Sequence, residues 1–241
     1  MTTHASGPRK SAPMRFLRRT VHAFVYHLIV KRAIRRTDVI SMLGLSLTIY
    51  PSVFHPKFYL TSKFFGNFLQ GLDLSGKEFL EIGCGSGILS LIAARRGAQV
   101  TAVDINPRAV ECTALNAQAN GLEKRVRTLE SDLFDKLAPD ECFDVILWSP
   151  PFFPRDPVNI ADHAWNAGRG FSVIQRFASN AGSHLRENGR ILFLLSSDTE
   201  VRSIISLFES LGFQMSLARK SRRLFEVLSI HEFCPEQRVP Q

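Results

Sequence analysis

The chain has 241 residues, 45% of them hydrophobic and 22% charged, with a formal net charge of +8 at pH 7. This composition is typical of a globular domain with one substantial core and excludes a chain that is disordered throughout. The sequence contains no internal repeat and no low-complexity tract, which excludes repeat architectures.

The first 50 residues carry the whole of the net positive charge. They hold nine Lys or Arg residues against one acid, Asp38, whereas residues 51–241 hold 21 residues of each sign. An apolar stretch, residues 21–30, lies between basic pairs; it is too short to span a bilayer, and no small-residue cleavage site follows it. We expect residues 1–44 to form a basic helical extension that packs on the domain or contacts nucleic acid or an anionic membrane surface.

The most informative stretch follows an alternating strand pattern (residues 45–56) and an aromatic-rich helical pattern (residues 57–72). Over residues 79–87, an apolar strand breaks into three alternating glycines before a helical run. Such a turn needs glycines, because side chains would keep a ligand from lying against the backbone and the helix N-terminus. A dinucleotide fingerprint would require glycine where the chain has Ile88. The turn therefore favours an adenosyl cofactor over a pyrophosphate; taken alone, it leaves open an ordinary tight turn of an α/β protein.

Two further strands bring acids to the same edge of the predicted sheet. Residues 99–103 predict a buried strand that ends in Asp104, about 20 residues after the glycines, where a carboxylate accepts both hydrogen bonds from a ribose. Asn106 and Pro107 then begin a helix. Residues 126–130 predict the next strand, and Asp132 after it is a candidate acceptor for an adenine amino group, or else a loop acid or helix cap.

The strand predicted for residues 143–148 is followed by Ser149-Pro150-Pro151-Phe152. The family resemblance given below implies methyl transfer to a planar nitrogen, a reaction that requires two acceptors to hold the NH2 group as it becomes pyramidal. The Ser149 hydroxyl and the Pro150 carbonyl are the candidates, the two prolines stiffen the loop, and Phe152 offers an aromatic face to a flat substrate. Because serine also donates a hydrogen bond, an oxygen atom of the substrate stays open as the site of methylation. A purely structural role, in which the motif merely ends a strand, also stays open.

The rest of the chain completes an alternating pattern of strands and helices. Helices are predicted over residues 171–185 and 201–211, and a strand over residues 190–195. Residues 213–218 and 224–233 predict two final strands joined around the basic residues 219–223. The pattern predicts an α/β fold, a doubly wound sandwich with a seven-stranded sheet.

Together, four segments resemble a class I S-adenosylmethionine-dependent methyltransferase over roughly residues 45–234. These segments are Glu81 with the glycine turn, Asp104 with Asn106-Pro107, Ser131-Asp132-Leu133, and the strand that ends in the Ser-Pro-Pro-Phe motif. The resemblance implies a mostly parallel, Rossmann-like sheet with a C-terminal antiparallel hairpin, a catalytic domain over residues 45–241, and S-adenosyl-L-methionine as cofactor.

The acceptor motif resembles the Asn-Pro-Pro-Tyr signature of the release-factor glutamine methyltransferase (HemK-like) group, with Ser149 in place of asparagine and Phe152 in place of tyrosine. Residues 164–170 are similar to the Gly-rich acceptor loop of that group. The Ser-Pro-Pro-aromatic form is also similar to the motif of cytosine-N4 DNA methyltransferases, so the resemblance leaves the identity of the nitrogen open.

The predicted site combines these residues. The cofactor-binding set is Glu81, Gly83, Cys84, Gly85, Gly87, Asp104, Ile105, Asp132 and Leu133, and the catalytic set is Ser149, Pro150, Pro151 and Phe152. By resemblance, Phe54 and Thr61 are candidate second-tier contacts, whereas His55 and His163 are left out of the catalytic set. The four cysteines show neither C-x-x-C nor metal spacing, which predicts no metal site and reduced thiols in a cytoplasmic protein.

We therefore expect a methyltransferase that acts on a planar amide or amino nitrogen of a protein glutamine or a nucleobase, with a macromolecular acceptor favoured. Two alternatives stay open. A small-molecule or lipid-linked N- or O-methyltransferase would use the basic extension as a peripheral membrane tether. A cofactor-binding protein without catalysis is compatible with the missing asparagine.

Overall fold

In the computed structural model, residues 36–58, 60–222 and 226–236 are described. Most of the predicted extension, including residues 21–30, lies outside them. Its predicted boundary at residue 44 falls in the turn of an antiparallel hairpin between β1 (Asp38–Met42) and β2 (Leu45–Ile49). The helical extension and the domain boundary therefore stay predictions.

The central sheet and its helices alternate along the chain. The strands are β3 (Glu78–Ile82), β4 (Gln99–Asp104), β5 (Val126–Glu130), β6 (Phe143–Trp148), β7 (Leu185–Ser196), β8 (Phe213–Arg222) and β9 (Val227–Pro235). The helices are α1 (Leu60–Leu69), α2 (Ile88–Arg95), α3 (Pro107–Ala119), α4 (Ser172–Ala181) and α5 (Val201–Ser210).

The seven strands lie in the order β5-β4-β3-β6-β7-β9-β8. The first five in this order are parallel, and β9 is antiparallel to both β7 and β8. This confirms the mostly parallel sheet with a C-terminal antiparallel hairpin. The chain winds outward from β3 to β5 and then returns to place β6 on the other side of β3. Ligands of such sheets bind at this switch point, outside the carboxyl ends of the strands.

Apolar layers cover both faces of the sheet. One face packs against α1, α2, α3 and the β1–β2 hairpin, and the other packs against α4 and α5. Helix α2 lies inside the first layer, and its residues 88–94 are all buried, which explains why its sequence is apolar on every side. The strand that precedes this helix and the turn between them are thereby held firmly in the core.

The observed elements differ from the predicted ones mainly at their ends. Strand β8 runs to Arg222, through the basic residues that were predicted to connect the last two strands, because pairing with β9 satisfies its backbone whatever the side chains. The helix predicted over residues 57–72 spans only Leu60–Leu69, after a short 3-10 turn at Pro56–Phe58. The helix predicted to reach residue 185 ends at Ala181, since a 3-10 turn leads directly into β7.

Among the described residues, no helix is both long enough and apolar enough to cross a membrane. The four cysteines, all of them described, are free thiols. No group of three or more metal-ligating side chains occurs in the part of the chain that the structure describes.

Candidate active site

The glycine turn connects β3 to α2 at the switch point of the sheet. Gly83, Gly85 and Gly87 have φ values of 68°, 55° and 78°, a region that residues with a Cβ rarely adopt. The turn is closed by hydrogen bonds from Cys84 N to Val103 O (3.0 Å) and from Gly87 N to Cys84 O (2.7 Å). Gly83 is exposed, so the backbone of the turn is open to a ligand.

Gly87, the third glycine of the turn, permits close packing between the turn and α3. A Cβ on Gly87 would lie 2.7 Å from Thr113 Cγ2 of α3, whereas a Cβ on Gly83 would come no closer than 3.6 Å to the Trp148 ring. Gly87 therefore lets α3 approach the turn, and Gly83 leaves space on the ligand side. Burial raises the pKa of Cys84 well above its ordinary value, so this thiol stays protonated and Cys84 contributes to the turn through its backbone.

Asp104 lies at the end of β4, directly beside the turn. Its Oδ2 accepts a hydrogen bond from Gly85 N and its Oδ1 accepts one from Asn106 N, both at 2.9 Å. Burial raises the pKa of Asp104, while these two hydrogen bonds and the nearby charge of His163 lower it. Each oxygen keeps a second lone pair, so the carboxylate can still accept from a diol.

Asn106 and Pro107 begin α3 as predicted. The Asn106 side chain accepts from Arg108 N (3.0 Å), and its Nδ2 donates to Ser52 O (3.0 Å). Pro107 occupies the first helical position, where its missing N–H costs nothing. Ile105, between Asp104 and the helix, is partly exposed at the same edge.

Glu81 occupies the strand before the turn and is 3% exposed. Ser90 Oγ of α2 donates to its Oε2. Burial raises the pKa of Glu81 to about 8, an effect that the hydrogen bond from Ser90 partly offsets. A cationic group that entered the site would favour the ionised form of this carboxyl, because opposite charges attract.

Asp132 and Leu133 follow β5 at the next position along the edge. Ser131 N donates to Asp104 O (2.9 Å), which places this loop beside the end of β4. The Asp132 carboxylate forms an ion pair with Arg176 of α4 (3.0 Å), a partner that the sequence pattern did not reveal. Leu133 is buried and has a φ of 53°, so the loop turns sharply here.

The Ser-Pro-Pro-Phe motif follows β6 on the other side of β3. Trp148 pairs with Ile82, so Ser149 and Gly83 leave neighbouring strands at the same level. Adjacent strands are about 4.8 Å apart, and the motif therefore begins directly beside the turn. Ser149, Pro151 and Phe152 are partly exposed, whereas Pro150 is buried.

A second loop forms backbone hydrogen bonds with the residue that follows this motif. Phe153 N donates to Trp165 O (3.0 Å) and Ala167 N donates to Phe153 O (2.8 Å), so the predicted acceptor loop, residues 164–170, pairs with the residues after the motif. The Trp165 ring lies 5.2 Å from that of Phe54, the second-tier residue predicted in the segment before α1. Thr61, the other one, lies in the first turn of α1 and is partly exposed.

The structure thus gathers the predicted cofactor and acceptor residues at one edge of the sheet. Their roles in binding and catalysis stay predictions. The open glycine backbone and the carboxylate of Asp104 fit an adenosyl ligand with its ribose at the end of β4. Sequence reasoning missed Trp148, Arg176 and Asn116, whose side chains contact the turn or its neighbours only through the tertiary fold. His163 was considered and set aside, yet its charge acts on Asp104.

The chain is similar to known proteins over most of its length. The methyltransferase small domain family matches residues 51–229. A Methanocaldococcus jannaschii protein, provisionally named a protein N5-glutamine methyltransferase, is 31% identical over 80% of this chain and 96% of its own length. A release factor glutamine methyltransferase of Rhodopirellula baltica is 33% identical over 52% of this chain and 46% of its own.

The chain spans about half the length of the release factor glutamine methyltransferases that it matches. Among solved structures, a T. thermophilus 16S rRNA N2 G1207 methyltransferase in complex with AdoMet and guanosine has a TM-score of 0.66. It is 22% identical and covers 83% of this chain and 50% of its own. This likeness concerns the fold.

Proposed function

The chain belongs to the methyltransferase small domain family of S-adenosylmethionine-dependent enzymes, and we propose that it methylates the side-chain amide nitrogen of a protein glutamine. The observation that carries the proposal is the Ser-Pro-Pro-Phe motif beside the glycine turn, with Ser149 level with Gly83. Support comes from the M. jannaschii relative, whose name describes this reaction and whose length the match nearly fills.

In this proposal, the glycine turn and Asp104 would hold S-adenosylmethionine beside the end of β6. The cofactor supplies an electrophilic methyl on a sulfonium. When bound, the cofactor would transfer this methyl group to the amide nitrogen and leave as S-adenosylhomocysteine, and the nitrogen would release one proton to solvent. Asp132 lies along the same edge for the adenine end.

The amide nitrogen is a weak nucleophile because its lone pair is delocalised. Two acceptors, the Ser149 hydroxyl oxygen and the Pro150 carbonyl, hold the two N–H groups so that the lone pair points at the methyl carbon. This arrangement favours the transition state over the planar ground state. Phe152 and the Phe54–Trp165 pair form aromatic surfaces beside the acceptor.

A nucleobase amino group is the second candidate. The serine in the motif favours it, because the Ser-Pro-Pro-aromatic form is similar to that of cytosine-N4 DNA methyltransferases. An exocyclic amino group presents the same pair of N–H donors as an amide, so Ser149 and Pro150 would bind it in the same way.

Transfer of label from S-adenosylmethionine distinguishes the two acceptors. The full-length chain is incubated with glutamine peptides, with the same peptides carrying asparagine, and with RNA and DNA oligonucleotides. Label in N5-methylglutamine supports the proposal. Label in a base instead establishes the second candidate, and label in neither excludes both.

Ser149 substitutions test the mechanism with the acceptor so identified. Ser149→Ala should lower kcat by about tenfold or more and leave cofactor affinity unchanged, because the hydroxyl acts mainly in the transition state. Ser149→Asn should retain part of the activity, since an amide oxygen also accepts. If the substrate instead accepted the methyl group on a hydroxyl oxygen, Ser149→Asn should be inactive.

The amino-terminal segment belongs to the same proposal. We assign residues 1–44 to a basic extension and residues 45–241 to the methyltransferase domain. The concentration of positive charge in the extension supports a contact with an anionic macromolecule or an anionic membrane surface.

A further inference from the structure

A groove outside the site described above lies between α1 and β8. Its volume is about 190 Å³, and it is lined by Leu60, Lys63, Phe64 and Asn67 of α1 with Arg219, Lys220 and Ser221 of β8. None of the described residues that line it is acidic. The Arg219 guanidinium lies 6.0 Å from the centre of the Phe64 ring, and its Nη1 donates to Asn67 O (3.4 Å).

The register of the sheet places this groove at the acceptor edge. Trp148 of β6 is aligned through Phe193 and His231 with Leu217 of β8. Arg219 pairs with Ile230, one position further toward the carboxyl edge, which is the level of Ser149. Strand β8 runs parallel to β6, three strand spacings away, and three spacings of about 4.8 Å amount to about 14 Å.

The groove also lies on the face of the sheet that borders the acceptor motif. Arg219 and its pairing partner Ile230 project to the same side of the sheet, and Ile230 belongs to the core layer that contains α1. The groove therefore opens on the side where Phe54 and Phe152 border the acceptor motif. A substrate that filled the groove could continue along this face to Ser149.

The lining combines an apolar wall with cations. Leu60 is 52% exposed, although it is apolar, and the Arg219 guanidinium lies over the Phe64 ring. Lys63 and Arg219 are both exposed and approach from opposite sides. A carboxylate at the end of a short aliphatic chain satisfies both features, because its methylenes cover the apolar wall and its oxygens accept from the cations.

The size of the groove indicates a single side chain. A groove of about 190 Å³ is smaller than the pockets of about 300–1,000 Å³ that bind whole small molecules. A glutamate side chain, with two methylenes and a carboxylate, fits this volume. The apolar wall beside the cations favours an acidic side chain, whose methylenes cover that wall, over a nucleic-acid phosphate.

We propose that the groove between α1 and β8 binds a glutamate of the acceptor protein located about four residues from the methylated glutamine. An extended chain advances about 3.4 Å per residue, so four residues span the distance of about 14 Å. The assignment rests on the proposed function, since it takes the acceptor to be a polypeptide. It adds a sequence preference that the Ser-Pro-Pro-Phe motif does not itself supply.

The test uses the full-length chain and fluorescent peptides with one central glutamine. The peptides carry a glutamate four residues before or four residues after the glutamine, or lysine or alanine in its place. Binding is measured by anisotropy and methyl transfer by label from S-adenosylmethionine. In one of the two directions, the glutamate should raise affinity about tenfold over alanine.

A charge exchange assigns this effect to the groove. Arg219→Glu should remove the preference for the glutamate peptide and create one for the lysine peptide, and Lys63→Glu should act in the same direction. Arg202→Glu is the matched control, because Arg202 is an exposed arginine of α5 on the opposite face. Arg219 and Lys63 are exposed, so neither substitution removes a core side chain, although Arg219→Glu gives up the contacts with Phe64 and Asn67 O.

The two readouts separate this proposal from the proposed function. If the rate of methyl transfer depends neither on the glutamate of the peptide nor on Arg219, the groove assignment is overturned while glutamine methylation is still supported. Glutamate-dependent binding that Arg219→Glu reverses, without methyl transfer, supports the groove and overturns glutamine methylation. Absence of glutamate-dependent binding overturns the groove assignment, as does an Arg219→Glu variant that keeps the preference for the glutamate peptide.

Discussion

Asp104 combines a structural contact with a predicted binding contact. Its two carboxylate oxygens already accept from Gly85 N and Asn106 N, and the proposed ribose would use the remaining lone pairs. We expect Asp104→Ala to weaken S-adenosylmethionine binding by about 30- to 150-fold, which corresponds to about 2–3 kcal/mol. Calorimetric titration of the folded variant measures this change.

Asp144 provides the matched control. It accepts from Glu78 N (2.9 Å) at the opposite end of the same parallel sheet, so it also anchors a strand through a backbone hydrogen bond. Asp144→Ala should lower stability and leave cofactor affinity unchanged. Equal affinity in the Asp104 variant and the parent would remove Asp104 from the site.

Glu81 makes the stability of the fold depend on pH. Its pKa is about 8 in the folded chain, against an ordinary value of 4.5. Between these pH values the unfolded chain has lost the proton that the folded chain retains, so stability falls as pH rises through this window and levels off above it. Glu81→Gln keeps an acceptor for Ser90 Oγ and cannot ionise. We expect the variant to be more stable than the parent at pH 9, by on the order of 1 kcal/mol or more.

Thermal unfolding from pH 5 to pH 9 tests this expectation. The melting temperature of the parent should fall more steeply than that of Glu81→Gln over this range. Glu130→Gln, a change at an exposed glutamate of β5, is the control and should follow the parent. Parallel curves for all three proteins would show that Glu81 ionises as it does in the unfolded chain.

At the scale of the elements, the sequence was a good guide wherever local pattern and tertiary packing agree. The glycine turn, Asn106-Pro107 and β5 all lie where the pattern predicts them, because each depends on residue types that only one local conformation satisfies. The predicted end of β8 was wrong, because the pairing of this strand depends on β9 rather than on its own basic side chains. The Arg176–Asp132 pair could not be predicted, because nothing local relates α4 to the loop after β5.

Asn116 of α3 connects three elements. Its Oδ1 accepts from Thr48 N (2.7 Å), and its Nδ2 donates to Thr48 O and to Ser86 O of the glycine turn, both at 2.9 Å. The side chain is fully buried. Asn116→Ala would remove this partner from Thr48 N and Ser86 O, while Thr48 O keeps the Cys112 thiol, and we expect it to lower the free energy of unfolding by about 2–3 kcal/mol. It should also weaken cofactor binding, because Ser86 belongs to the turn.

Asn120, one helical turn later, separates the two effects. Its side chain binds Ser46 N (3.1 Å) and Ser46 O (2.8 Å), so it joins α3 to the hairpin without contacting the turn. Asn120→Ala should reduce stability by less and leave cofactor affinity intact. Denaturant unfolding and calorimetry on both variants measure the difference; a loss of cofactor affinity in the Asn120 variant would mean that the hairpin, rather than Ser86, positions the turn.

For the whole molecule, the net positive charge lies in the amino-terminal segment rather than in the rest of the chain. Residues 51–241 have 21 residues of each sign, so that region has no net attraction for a polyanion. Within it, Lys63 and Arg219 concentrate positive charge at one groove. We therefore expect any long-range attraction for a polyanion to depend on the amino-terminal segment and local recognition to depend on the proposed groove.

Deletion of residues 1–36, which hold all nine basic residues of the amino-terminal segment, tests this division. We expect the truncated protein to bind S-adenosylmethionine as the parent does and to lose affinity for RNA, DNA or anionic vesicles. If five or more of the basic residues contact phosphates, the affinity of the parent for nucleic acid should fall by on the order of 10²–10³ between 50 and 200 mM salt, since bound counterions are released. A truncated protein that fails to fold, together with a parent that binds no polyanion, would instead assign residues 21–30 to the core and their basic neighbours to a solvated rim.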